Sequence, residues 1–315
     1  MVDIQELRGA VRGVNPFGDV WFVDPSVGSD TNFGKTPAQC KSSIASTISS
    51  AVAGDTILLA PGTHSVDVST AALVPLADMT IRGAIPSHGG MPSTVITHDA
   101  DDGADLCLID VDGVVFEDIK FLLIAGGSTA LRTMAVAQTT AVNGLAFRNC
   151  WFDLNSVDAS GVIALAVNDA TNDTIGMVVQ GCRFTGATAT TNTSILADIG
   201  VGGITKALFE DNIFELQTID ADSIAFNFAD PAGTGSYGFV IRNNDFIGPI
   251  DGGGDAVPFV FNASMTEDEM VGIIRTNYFS NVTVAPITID KVNNNMVRNY
   301  AGADSSGGLI VNPGS

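Results

Sequence analysis

The chain has 315 residues, and its 14 Lys+Arg against 35 Asp+Glu give a formal net charge of −21. That balance argues against nucleic acid as a direct partner, because phosphate contacts want clustered cations. With 34 Gly and 45% hydrophobic residues, the composition suits short apolar strands between Gly-, Asn- and Asp-rich turns. No apolar run of about 18 residues marks a membrane span, and four cysteines are too few for a disulfide scaffold.

Residues 1–20 fit no hydrophobic period and read as an N-terminal arm, and their start lacks the basic residues and apolar core of a secretory signal. Residues 21–64 read as a capping module. A strand opens it at Trp21, and Cys40, Ile44, Ile48 and Val52 follow at intervals of four, one face of a short amphipathic helix. GDTILLAPGTH then gives a turn, a buried strand and a second turn. Residues 65–302 read as successive coils, irregular at first, and 303–315 as a C-terminal tail. In the irregular part, HDADDGAD sets Asp99, Asp101, Asp102 and Asp105 close together, a weak candidate calcium loop that lacks the EF-hand spacing.

From residue 114 an eight-residue phrase returns six times. It reads VVFEDIKF (114–121), LAFRNCWF (145–152), MVVQGCRF (177–184), ALFEDNIF (207–214), FVIRNNDF (239–246) and GIIRTNYF (272–279). The closing Phe falls at Phe121, Phe152, Phe184, Phe214, Phe246 and Phe279, so the spacings are 31, 32, 30, 32 and 33. A fixed period of that length means a stacked-repeat architecture. Positions one, three and eight are apolar and belong inside. Position four is polar (Glu117, Arg148, Gln180, Glu210, Arg242, Arg275) and belongs outside.

Position six runs Ile119, Cys150, Cys182, Asn212, Asn244, Asn277. The recurrence predicts an internal ladder, since stacked Asn amides can hydrogen-bond up and down at strand spacing. Cys150 and Cys182 fall on neighbouring coils, about 4.8 Å apart, which permits a disulfide without requiring one.

This series resembles the right-handed parallel β-helix proteins of the pectate-lyase-like superfamily, where apolar-x-apolar-x-Asn-Asn-x-Phe marks the corner between two sheets. The resemblance covers about residues 20–300. It implies an all-β fold, a right-handed single-stranded parallel β-helix with an N-terminal capping helix, and it is nearly silent on function. Polygalacturonase-like members carry Asn-Thr-Asp, Asp-Asp and Gly-His-Gly motifs. Here Asp101-Asp102 is the one Asp-Asp pair, and no Gly-His-Gly accompanies it. Pectate-lyase-like members hold calcium between carboxylates, and no such spacing stands out. His64 falls where relatives place an aromatic, which implies a structural role, and His88 lies in a loop.

Position two should point outward, and it reads Val115, Ala146, Val178, Leu208, Val240, Ile273. A continuous apolar stripe on an outer face expects a cover, either loops of the same chain or a subunit interface. The chain accordingly resembles bacteriophage decoration, cement or fibre components. On this reading it is a non-enzymatic structural protein of a virion, assembled in the host cytoplasm as a dimer or trimer beside other capsid proteins. It would need no cofactor and no membrane. The alternative is a carbohydrate-active enzyme, a polysaccharide lyase or glycosidase, whose sign is carboxylates from adjacent coils converging on an outer cleft. A carbohydrate-binding adhesin module would instead show a row of exposed aromatics.

Overall fold

The computed structural model describes residues 18–67, 72–84, 91–98, 105–123, 131–154, 162–167, 172–186, 194–200, 202–217, 222–228, 236–249, 255–261, 270–282 and 300–301. Within each phrase the alternation acts as expected: positions one and three are buried, and position four points out. Position five then turns the chain. Asp118, Asn149, Gly181, Asp211, Asn243 and Thr276 all take left-handed backbone, with φ between 51° and 64°. Asp, Asn and Gly tolerate that region, whereas a β-branched Thr does so under strain. One such residue swings the chain from one sheet to the next and returns positions six and eight to the interior.

A second left-handed corner precedes the first five phrases, at Gly113, Gly144, Gly176, Lys206 and Gly238. The stacked coils build three parallel sheets. Sheet A climbs through Val20–Val23, Thr56–Leu59, Thr80–Gly83, Val115–Glu117, Ala146–Arg148, Val178–Gln180, Leu208–Glu210, Ser236–Arg242 and Met270–Arg275. Sheet B holds Gly62–Val66, Thr94–His98, Lys120–Leu122, Trp151–Asp153, Arg183–Thr185, Ile213–Glu215, Asp245–Ile247, Tyr278–Ser280 and Tyr300–Ala301. Sheet C holds six strands from Cys107–Ile109 to Ala256–Phe261. Every named pairing within them is parallel and joins adjacent coils, the short flanking strands of sheet A included.

The core is a set of vertical stacks. At position eight, Phe121, Phe152, Phe184, Phe214, Phe246 and Phe279 lie ring on ring with centroids 5.2, 4.7, 4.8, 5.0 and 4.9 Å apart. Those separations are the strand spacing itself, within the range where offset aromatic pairs attract. His64 and Ile96 continue the same row toward the N-terminus, so His64 does occupy an aromatic's place. Position one complements volume across coils: a Cβ on Gly272 would run into the Phe239 ring one coil earlier.

The ladder at position six forms as expected. The backbone N–H groups of Cys182, Asn212 and Asn244 donate to Oδ1 of Asn212, Asn244 and Asn277 at 2.8, 2.9 and 2.9 Å. In turn the amide nitrogens of the three Asn donate to the carbonyls of Val179, Phe209 and Ile241 at 2.9, 3.1 and 3.0 Å. Each Asn thus satisfies buried corner groups that a strand ladder cannot reach. Cys150 and Cys182 sit on this ladder as buried free thiols. Burial pushes the Cys150 thiol well up, with Cys182 beside it adding to the effect, so Cys150 does not serve as a thiolate.

At the N-terminal end Trp21 closes the core. Its Nε1 donates to Asp55 at 2.7 Å, Gly34 packs on its ring, and the Lys35 ammonium lies 3.4 Å from the ring centroid. The expected helix is present but short, Ile44–Ser50, N-capped by Ser43, whose Oγ accepts from the Ser46 N–H at 3.2 Å. Its inward face is Ile44 and Thr47, while Val52 lies beyond the helix end and is 65% exposed. The four-residue spacing through Cys40 and Val52 therefore overstates its length. Four hydroxyl-bearing residues in IASTISS are weak helix formers, and one turn beyond Ser50 would leave the core it covers. The first strand begins at Val20, inside the stretch read as an arm. Residues 1–17 of that arm and the tail 303–315 lie outside the described residues.

Candidate functional site

Register sets Val115, Ala146, Val178, Leu208, Val240 and Ile273 in one unbroken row on the outside of sheet A. Ala146 is buried and the other five are half-buried, because branched side chains at strand spacing lean on their neighbours above and below. The row is about 24 Å long, five strand spacings. Beside it runs the polar row of position four. Glu210 accepts from Arg242 Nε at 2.6 Å and from Gln180 at 3.3 Å, and Arg82 lies 3.5 Å from Glu117. Arg148, Lys206 and Arg275 are exposed. Among the described residues, none of the three has a carboxylate within ion-pair distance.

The outside of sheet B divides in two. In its earlier coils Trp151 is clasped between cations, Lys120 Nζ 3.8 Å and Arg183 Cζ 5.0 Å from the ring. Its indole N–H donates to Thr185 Oγ1 at 2.9 Å. Lys120 pairs with Asp153 at 2.6 Å, and Arg183 makes two bonds to Glu215 at 3.1 and 2.6 Å. Trp151 is 8% exposed and Asp153 6%. The later coils show the opposite surface. Ile213, Ile247 and Tyr278 are 37%, 38% and 44% exposed, with Asp245 between Ile213 and Tyr278 in the same row. Among the described residues Asp245's carboxylate has no ion-pair partner, and burial among its apolar neighbours pushes its carboxyl up from the ordinary range.

Sheet C carries a row that sequence reasoning missed. Arg132, Ile163, Ile195, Ile224 and Val257 align outward and half-buried, with Asp198 accepting from Asn227 at 2.7 Å on the same face. Its signal was a run of six-residue apolar stretches between the phrases, hidden by loops of differing length. Of the candidate calcium loop, Asp99, Asp101 and Asp102 lie outside the described residues. Asp105 is bonded to Arg132 at 2.6 and 2.9 Å. Among the described residues no cluster of three His, Cys, Asp or Glu is placed to hold a metal ion. His64 is buried with Nε2 2.9 Å from the Ala60 carbonyl, and burial lowers its pKa. His98 is buried too, and His88 lies outside the described residues.

No family model matches the sequence, and no curated protein matches it. Solved structures do. A rhamnogalacturonan lyase superimposes with a TM-score of 0.58 at 13% identity, over 85% of this chain and 69% of that one. A pectin methylesterase in complex with a hexasaccharide gives 0.50 at 11% identity, over 92% and 90%. A pectate lyase gives 0.47 at 12%, over 92% and 78%. The chain is a right-handed parallel β-helix. At these identities the likeness speaks for the scaffold alone.

On this β-helix the chemistry of the outer faces differs sharply. Around Trp151 the cations Lys120 and Arg183 lie over the indole and are paired with Asp153 and Glu215. Asp245 and Arg275, by contrast, have no ion-pair partner among the described residues.

Proposed function

We propose that this β-helix is a non-enzymatic structural protein that works by associating with copies of itself in a larger particle. One observation carries the reading: an apolar row of six residues, aligned by strand register, runs along the outside of sheet A. Burying such a row contributes on the order of 5–10 kcal/mol before association costs are subtracted. Stacked Phe rings and a bonded Asn ladder make the body stiff, which suits a scaffold. The virus-particle setting, as a bacteriophage decoration, cement or fibre component, comes from the sequence resemblance and is the finer part of the proposal.

The carbohydrate-active alternative shares the fold of the lyase and the esterase. Its sign was converging carboxylates on an outer cleft. Among the described residues, Asp153 and Glu215 are instead held by Lys120 and Arg183. The test compares solution mass for the wild type, Val178→Asp and Val240→Asp by light scattering at micromolar concentration. Oligomers that the substitutions break support the structural reading. Cleavage of an acidic polysaccharide by the purified chain, with or without calcium, would overturn it.

A further inference from the structure

The assembly proposed above leaves its partner face unspecified, and charge chooses between the candidates. Two copies that each carry a net charge of −21 repel on average, so contact needs cations where the copies meet. Among the described residues, exposed cations without a carboxylate partner are Arg148, Lys206 and Arg275, all on sheet A or its corner. Packing sheet A against sheet A around a two-fold axis would bring those cations together, a repulsive arrangement.

A complementary surface exists on the same molecule. Among the described residues, Ile213, Ile247 and Tyr278 are the exposed large apolar side chains that lie within strands, and they surround an acid with no ion-pair partner. Ile247 follows Asp245 in its own strand, Ile213 pairs with it from the coil before, and Tyr278 follows one coil on. Apolar groups around an anion match apolar groups beside a cation. Resting on the self-association reading, we propose that the sheet B patch of Ile213, Asp245, Ile247 and Tyr278 docks on the sheet A row Leu208–Val240–Ile273 of a second copy, with Asp245 meeting Arg275. The raised carboxyl of Asp245 fits a group already partly desolvated and lacking a counter-ion.

Such a contact is heterologous, one face to a different face. Sheets A and B look in different directions around a shared axis, so each added copy is rotated about that axis. A closed ring results when the rotations complete a turn. The corner between the two faces in the last described phrase is only Thr276 and Asn277, so one coil supplies Arg275 to one neighbour and Tyr278 to the other.

The test uses charge reversal at two exposed positions, with thermal melts to confirm that the variants fold. Arg275→Glu and Asp245→Lys should each weaken association at least tenfold by sedimentation equilibrium. An equimolar mixture of the two should reassemble, as should the double variant, because opposite charges then face each other again. If Asp245→Lys leaves the mass unchanged while Val240→Asp breaks it, this pairing is overturned and self-association through sheet A stands. Singles that weaken association without rescue by mixture or double variant also overturn the pairing. A wild type that is monomeric at micromolar concentration removes both proposals.

Discussion

The earlier and later coils of sheet B share one backbone, one register and one Phe stack, yet their outer surfaces are unlike. Around Trp151 every charge is answered: Lys120 by Asp153, Arg183 by Glu215. Around Asp245 the surface is apolar, exposed and carries an acid without a counter-ion among the described residues. In a solenoid the interior must repeat, because each coil packs only on its neighbours. The exterior is under no such constraint. The interior therefore reports the fold, and the proposed contact falls where the outer surface stops closing on itself.

That contrast can be broken from the inside first. Phe184→Ala under the closed half and Phe246→Ala under the open half should each cost about 3–5 kcal/mol, read as equal shifts in urea midpoint. A much smaller cost at Phe246 would mean that the later coils are not packed as tightly as the earlier ones. Asp153→Ala comes next, at about 3 kcal/mol, because it strips the partner from a Lys120 whose side chain is 17% exposed. If the melting temperature does not move, the ion pairs of the closed half contribute nothing to holding it shut. Thr276→Asn should act in the other direction, with a gain of about 1 kcal/mol from relieving a β-branched residue at φ 54°.

His64 sharpens the view of the N-terminal end through pH. Burial lowers its folded pKa, so the folded state holds it neutral while the unfolded chain protonates it near its usual value of about 6.5. Its stability contribution is thus present above that value and lost as pH falls below it. His64→Phe should flatten the decline in melting temperature between about pH 7 and 5, its ring packing on Ile96 in the next coil. An unchanged slope would place the acid sensitivity elsewhere. The smallest effect belongs to the open half: Tyr278→Ser should change stability by no more than about 0.5 kcal/mol while lowering the assembled mass. A large loss of stability would mean that Tyr278 is part of the body and not of a contact.

The phrase made the coils legible because its residues do one job each. Phe at position eight and Asn at position six recur at a fixed period, and the stacks they form depend on that period alone. The apolar row of sheet A was readable for the same reason. Sheet C was not, since loops of unequal length separate its strands from the phrases. The clasp around Trp151 was also missed, although Arg183 and Glu215 lie 32 residues apart, one coil. Opposite charges one period apart were the available signal. The short capping helix misled because a four-residue spacing continues past the point where Ser and Thr can sustain a helix.

The most direct test of self-association is the mass of the unaltered chain by light scattering across a dilution series. The account predicts a defined multiple of 32.5 kDa at micromolar concentration, falling toward the single chain only on dilution. A mass of one chain throughout the micromolar range would contradict it.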